Sequence, residues 1–219
     1  MNLYIYCEGQ TEESFINKVL SPYLLRAKVY ARPIVCETKR TVSKKFKGGV
    51  SDYNKIKFEL LRLCKQHKNE MLTTMFDYYG LPDNTPDTPS SSTCLCERVI
   101  EIERAIEVDI NMPNLFFNLT VHEFEGLLFS DPSAFYSIAD NSTIAKLKAT
   151  KEKFISPEHI NRSTETAPGK ILEKLIPGYA KVSDGTIISE RIGVDLMIKE
   201  CKHFREWVSK ITSLGQYQK

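Results

Sequence analysis

At 219 residues, with 42% hydrophobic and 26% charged side chains, the chain has the length and balance of an ordinary globular protein of one domain, or one domain with a helical annex. No apolar stretch approaches the roughly 20 residues needed to span a bilayer, and the opening MNLYIYCEGQ lacks the cationic leader and small-residue cleavage site of a signal peptide; no membrane partner and a cytoplasmic location are expected. A formal charge of +2 neither demands nor excludes nucleic acid, so local clustering is the informative quantity.

Residues 3–7 (LYIYC) form a short β-prone run that ends at Glu8-Gly9. Phe15, Val19, Leu20, Tyr23 and Leu24 then recur at helical spacing, which predicts strand, tight turn, helix. A second strand is expected over residues 31–38. Beyond the basic stretch 39–50, Ile56, Leu60, Leu61 and Cys64 mark one side of a second helix. Residues 71–78 read as the third strand, and GLPDNTPDTPSSST as a surface loop. A helix over about 94–109 follows; Pro113 interrupts it, and residues 115–121 read as a fourth strand.

This βαβαβαβ order predicts an α/β core, residues 1–125, built on a mostly parallel four-stranded sheet flanked by helices on both faces. Residues 126–219 show a short helical pattern punctuated by Asp131-Pro132, Ser156-Pro157, Ala167-Pro168 and Pro177-Gly178, and are expected to be a C-terminal helical extension packed on the core. The six cysteines have no C-x-x-C pair and no histidines at ligand spacing, which argues against zinc. Cys7, Cys36 and Cys64 lie among apolar residues and read as packed, reduced thiols.

The carboxyl ends of strands one, three and four each carry acid: Glu8, Asp77, and Glu123 with Glu125. A parallel sheet brings those ends to one edge, where ligands collect, and hard divalent cations take several carboxylate oxygens. Glu12 joins from the first helical turn, although an acid there also complements the helix dipole. Asp77 alone would pass for a turn residue. Glu123 and Glu125 share a side only if the chain stays extended, so at most one of them is expected to be a ligand. His122 reads as a strand-end residue making a hydrogen bond, or as an acid or base near neutral pH.

Between strand two and the second helix, Lys39, Arg40, Lys44, Lys45 and Lys47 surround Phe46. Such a loop would neutralise phosphates and offer a ring to a base; a solvated surface run is its other meaning. Tyr78 and Tyr79 read either as base-stacking residues or as core.

The strand followed by Glu8-Gly9-Gln10-Thr11-Glu12 resembles the opening motif of TOPRIM domains, and the E-G-x-T-E form resembles the overcoming-lysogenization-defect (OLD) nucleases most. The wider set EGQTEESF, FDYYGLP, HEFEGLLFSD, INRSTETAPGK, IPGYAK and CKHFREWV resembles, over essentially the whole chain, a family of small bacterial TOPRIM-like proteins often encoded beside ABC-type ATPases in phage-defence loci. That resemblance implies a metal-dependent nuclease with Glu8, Glu12, Asp77, Glu125 and Lys170 as catalytic residues. It places Mg2+ or Mn2+ on Glu8, Glu12, Asp77, Glu123 and Glu125, and an ABC-type ATPase as partner in anti-phage defence. Without it, Lys170 reads as a solvated lysine early in a helix. Tyr79 stands where the pattern has a second Asp, and Glu123 where it has a small polar residue. The alternatives are a non-catalytic binding or regulatory subunit of an ATPase complex, and a phosphoryl-transfer enzyme acting on a nucleotide. A nuclease cutting duplex DNA or RNA would pair as a homodimer.

Overall fold

Alternation along two central strands organises the molecule. In β1 (Asn2–Cys7), Leu3, Ile5 and Cys7 enter one apolar layer and Tyr6 the other. In β3 (Met71–Asp77), Met75 joins the first layer, and Leu72 and Phe76 the second. A period of two with apolar residues on both sides belongs to a sheet covered on both faces. The computed structural model describes residues 1–36, 52–87, 94–160 and 166–216.

After β1 come α1 (Gln10–Phe15), a π-helical turn over Ile16–Leu20, and α2 (Ser21–Leu25). The expected single helix is thus loosened in its middle. Pro22 has no N–H to donate, and the Ser21 N–H reaches five residues back to Ile16 O, a common response of a helix to proline. β2 (Tyr30–Val35), α3 (Tyr53–Gln66), β3, a 3-10 turn over Tyr78–Gly80 and α4 (Leu95–Ile110) follow. β4 (Leu115–Phe116) and β5 (Leu119–Thr120) complete the sheet, whose order is β2-β1-β3-β4 with β5 also on β3. All pairings are parallel, as the sequence predicts.

The fourth strand departs from expectation because it is split. The Thr74 hydroxyl enters the ladder, accepting from Asn118 N–H and donating to Asn118 O, both at 2.8 Å. Outer N–H groups at Phe117 and Leu119 are taken by Glu107 (2.8 Å) and Glu103 (2.7 Å) of α4. Those side chains satisfy donors that an open sheet edge would offer to another strand. At the opposite edge, Pro33 within β2 has no donor to offer.

The rest of the chain carries α5 (Glu125–Leu128), α6 (Asn141–Lys151), α7 (Pro168–Leu175), α8 (Lys181–Ile192), α9 (Val194–Glu200) and α10 (Lys202–Gln216). Ile188, Met197, Phe204, Trp207 and Ile211 share one buried cluster with Leu3, Ile5, Phe15 and Ile16, so residues beyond 125 supply much of one covering layer. On the other face, Ile56, Leu60 and Cys64 of α3 and Val99 and Ile106 of α4 pack against Tyr6, Leu72 and Phe76. Each such side chain contributes roughly 1.5–3 kcal/mol by leaving water. The Trp207 indole N–H donates to Thr73 Oγ1 at 2.9 Å, tying α10 to the sheet centre. Buried Glu158 accepts from the first free N–H groups of α10, those of His203 (3.0 Å) and Phe204 (2.8 Å), the usual need of a helix N-terminus. Cys7, Cys36 and Cys64 are buried, and none of them forms a disulfide. Among the described residues no helix is long and apolar enough to cross a membrane.

Candidate active site

The parallel register puts the ends of β1, β3 and β5 on one edge: Cys7 stands opposite Met75, and Asp77 opposite Thr120. Glu8 follows β1 directly. Its Oε2 accepts from Asp77 N–H at 3.4 Å, and the turn after β3 lies so close that a Cβ on Gly80 would sit 3.0 Å from that oxygen. Glycine is what lets this backbone pass. Glu12 reaches back from α1 to the Gly9 N–H at 2.9 Å, a capping contact that also holds its carboxylate at the strand ends. Asp77 Oδ1 accepts from Phe124 N–H at 3.0 Å, and so binds β3 to the segment after β5.

That segment turns at His122, whose φ is 66°. Glu123 accepts a short hydrogen bond from Gly169 N–H at the start of α7. A Cβ on Gly169 would lie 2.9 Å from Glu123 Oε1, 3.4 Å from the Glu125 carboxyl carbon and 2.8 Å from Lys181 Nζ. Both glutamates therefore converge on one point. The chain is not yet helical at Glu123, and α5 begins at Glu125. Lys181 Nζ stands 3.0 Å from Glu125 Oε1. This ion pair lies off the hydrogen-bonding direction, and the buried Oε1 has no hydrogen-bond partner.

Five carboxylates thus gather near the Lys181 ammonium, and their protons show the crowding. Burial, then the charges of Glu12, Glu8, Glu125 and Glu123, holds Asp77 well above the usual carboxylate range. Burial and then the neighbouring Glu8 and Glu125 charges push Glu12 up to about 7. Glu8 is raised by burial, against the opposing pull of the Asp77 N–H and Lys181, and Glu123 by burial and Glu125. Burial alone would lower Lys181, but Glu125 and Glu123 carry it above its ordinary value. Like charges in a low-dielectric site favour either a proton or a cation.

Among the described residues no three Asp, Glu, His or Cys side chains stand in position to hold one metal ion. One oxygen of Glu8, Glu12, Asp77 and Glu123 is turned instead to a backbone N–H. The chemistry of the set nevertheless fits a hard divalent cation: all donors are carboxylate oxygens, and negative charge is in excess.

Lys170, predicted as the cation of the site, has its ammonium 2.6 Å from Glu173 Oε2 with the side chain 60% exposed. Among the described residues Lys181 is the lysine paired with these acids. One signal pointed to it: Lys181 is the first residue of α8, where a cation opposes the helix dipole and needs a nearby acid. Tyr179, two residues earlier, buries its hydroxyl without a hydrogen-bond partner, under the charges of Glu125 and Asp184. Tyr79 is 48% exposed. His122 is buried, its Nδ1 lacks a hydrogen bond, and burial followed by the charge of His159 lowers its pKa to about 4. It is neutral at physiological pH, against the reading of it as an acid or base near neutrality. Lys39, Arg40, Lys44, Lys45 and Lys47 lie outside the described residues.

A protein-family model described as "Domain of unknown function (DUF4276)" matches residues 7–212. None of the curated proteins matches. Among solved structures, the chain is similar to the C-terminal region of the Burkholderia pseudomallei OLD protein, with 16% identity and a TM-score of 0.45, over 97% of this chain and 98% of that one. It is also similar to the C-terminal region of the Xanthomonas campestris pv. campestris OLD protein, with 14% identity and a TM-score of 0.38, over 95% and 96% of the two chains. At these identities and scores neither likeness bears on chemistry.

Proposed function

Because the chain belongs to the DUF4276 family, whose description leaves the chemistry open, we propose an activity from the site itself: metal-dependent cleavage of nucleic-acid phosphodiester bonds, of the TOPRIM and OLD type. The observation that carries this reading is the gathering of Glu8, Glu12, Asp77, Glu123 and Glu125, from segments far apart in sequence, around Lys181 at the carboxyl edge of a parallel sheet. The motif resemblance described above supports the same reading.

Glu8, Glu12, Asp77, Glu123 and Glu125 would hold Mg2+ or Mn2+. Such an ion supplies a water of lowered pKa and neutralises charge on the phosphate. Lys181, rather than Lys170, would meet negative charge that develops on the phosphoryl oxygens, a reading its pairing with Glu125 supports. Glu12, raised to about 7, is poised to give up a proton near neutrality when a cation arrives. Gly169 keeps the backbone at α7 open, since a side chain there would displace Lys181 or Glu123. An anti-phage role and an ABC-type ATPase partner rest on the resemblance alone.

A second reading, a non-catalytic binding subunit of such an ATPase, is favoured by Tyr79 in place of a second acid and by the inward-turned carboxylates. One experiment separates the two. Purified protein is incubated with plasmid, single-stranded DNA and bulk tRNA, with magnesium, manganese or chelator, beside Asp77→Asn. Cleavage lost in chelator and in the variant is expected. Absence of cleavage under every condition, with ATPase-complex binding retained, would favour the subunit.

A further inference from the structure

The third strand ends in Asp77 and the chain then presents Tyr79 beside the carboxylates. Its ring centroid lies 4.9 Å from that of His122 with the planes 26° apart, and its N–H donates to His122 O at 3.3 Å. The residue is therefore fixed at two points. His122 beneath it is only 4% exposed, a rigid backing held by the core. Tyr79 is 48% exposed. The same turn passes directly over Glu8 through Gly80, His122 precedes Glu123 in the chain, and the Glu123 charge acts on the Tyr79 hydroxyl, so Tyr79 stands beside the acid cluster.

A ring stacked on His122, with the Tyr78 ring 5.7 Å away at 43°, and still half exposed has lost much of its side-chain entropy in advance, and gives a π surface at little further cost. A core tyrosine would be covered, and an incidental surface tyrosine would not be clamped by both stacking and a backbone hydrogen bond. We propose that Tyr79 is a stacking platform for an unpaired nucleobase next to the scissile phosphodiester, which makes single-stranded nucleic acid the substrate class. This rests on the phosphodiesterase reading of the acid site. In a duplex both faces of each base are covered by neighbours, and freeing one costs energy that a single strand does not spend.

The test compares wild type, Tyr79→Ala and Tyr79→Phe on a single-stranded oligonucleotide, on its duplex, and on the same strand with an abasic site beside the cleaved bond. Expected is a rise in KM of roughly tenfold or more for Tyr79→Ala, with kcat little altered and Tyr79→Phe restoring the wild-type value. The abasic strand raises KM for wild type but not further for Tyr79→Ala, and the duplex is the poorer substrate. Metal-dependent cleavage that is lost in Asp77→Asn yet indifferent to Tyr79→Ala and to the abasic site overturns the platform and leaves the phosphodiesterase standing. Preference for the duplex overturns it as well. Absence of any metal-dependent cleavage overturns both.

Discussion

Replacing Glu12 with Gln should stabilise the metal-free protein at alkaline pH, although it removes a group proposed for catalysis. Glu12 is 7% exposed, and burial followed by the Glu8 and Glu125 charges moves it from an ordinary value of 4.5 to about 7. Below the unfolded value both states hold the proton and nothing is gained or lost. Between the two values the folded state binds more protons than the unfolded one, so stability falls as pH rises, and the full penalty is present above about 7. At about 1.36 kcal/mol per tenfold change in proton affinity, that interval corresponds to at most about 3 kcal/mol. For a chain of this size each kcal/mol moves the unfolding midpoint by roughly 2–4 °C. Glutamine keeps an acceptor for the Gly9 N–H, so the cap of α1 survives. Thermal unfolding in chelator should show Glu12→Gln above wild type near about pH 8, with the gap shrinking as pH falls and closing below about pH 4. Added magnesium should narrow the gap by stabilising wild type. A variant that is less stable than wild type at the higher pH, or a difference independent of pH, would refute the account of crowded carboxylates.

Lys181→Met should abolish cleavage and lower stability, because Glu125 would keep a buried charge without its partner, whereas Lys170→Met should retain cleavage; equal loss in both would return the cationic role to Lys170. Thr74→Val leaves both backbone groups of Asn118 unpaired inside the protein and should cost about 2–3 kcal/mol, measurable by urea unfolding; a change under about 0.5 kcal/mol would mean that the ladder closes without the hydroxyl. Tyr179→Phe removes a buried hydroxyl without a partner and should be neutral or slightly stabilising in chelator; a marked loss of cleavage together with intact folding would give that hydroxyl a place in the reaction.

Much of this arrangement is legible from the residues. β1, the turn at Glu8-Gly9 and the acids at strand ends follow from local patterns, since strand period and turn chemistry are short-range and a parallel sheet gathers its carboxyl ends automatically. What escapes is set at long range. Thr74 splits the fourth strand from a neighbouring strand, and nothing within residues 115–121 announces it. The convergence of Glu123 and Glu125 depends on the left-handed turn at His122 and on the arrival of Gly169, more than forty residues later. Lys181 enters by tertiary packing of α8, whereas Lys170 takes the role only through the motif resemblance.

The hydrogen bond from Trp207 to Thr73 gives the molecule a built-in optical reporter. The chain has one tryptophan, carried by the last helix, and its indole rests on the middle of the sheet laid down by the first third of the chain. Its emission therefore registers separation of the C-terminal helices from the sheet, whatever else melts. If that emission reddens at the same denaturant concentration at which helical circular dichroism is lost, the two halves of the chain form one cooperative unit. An earlier shift would reveal a detachable layer lying over the strand that ends in Asp77.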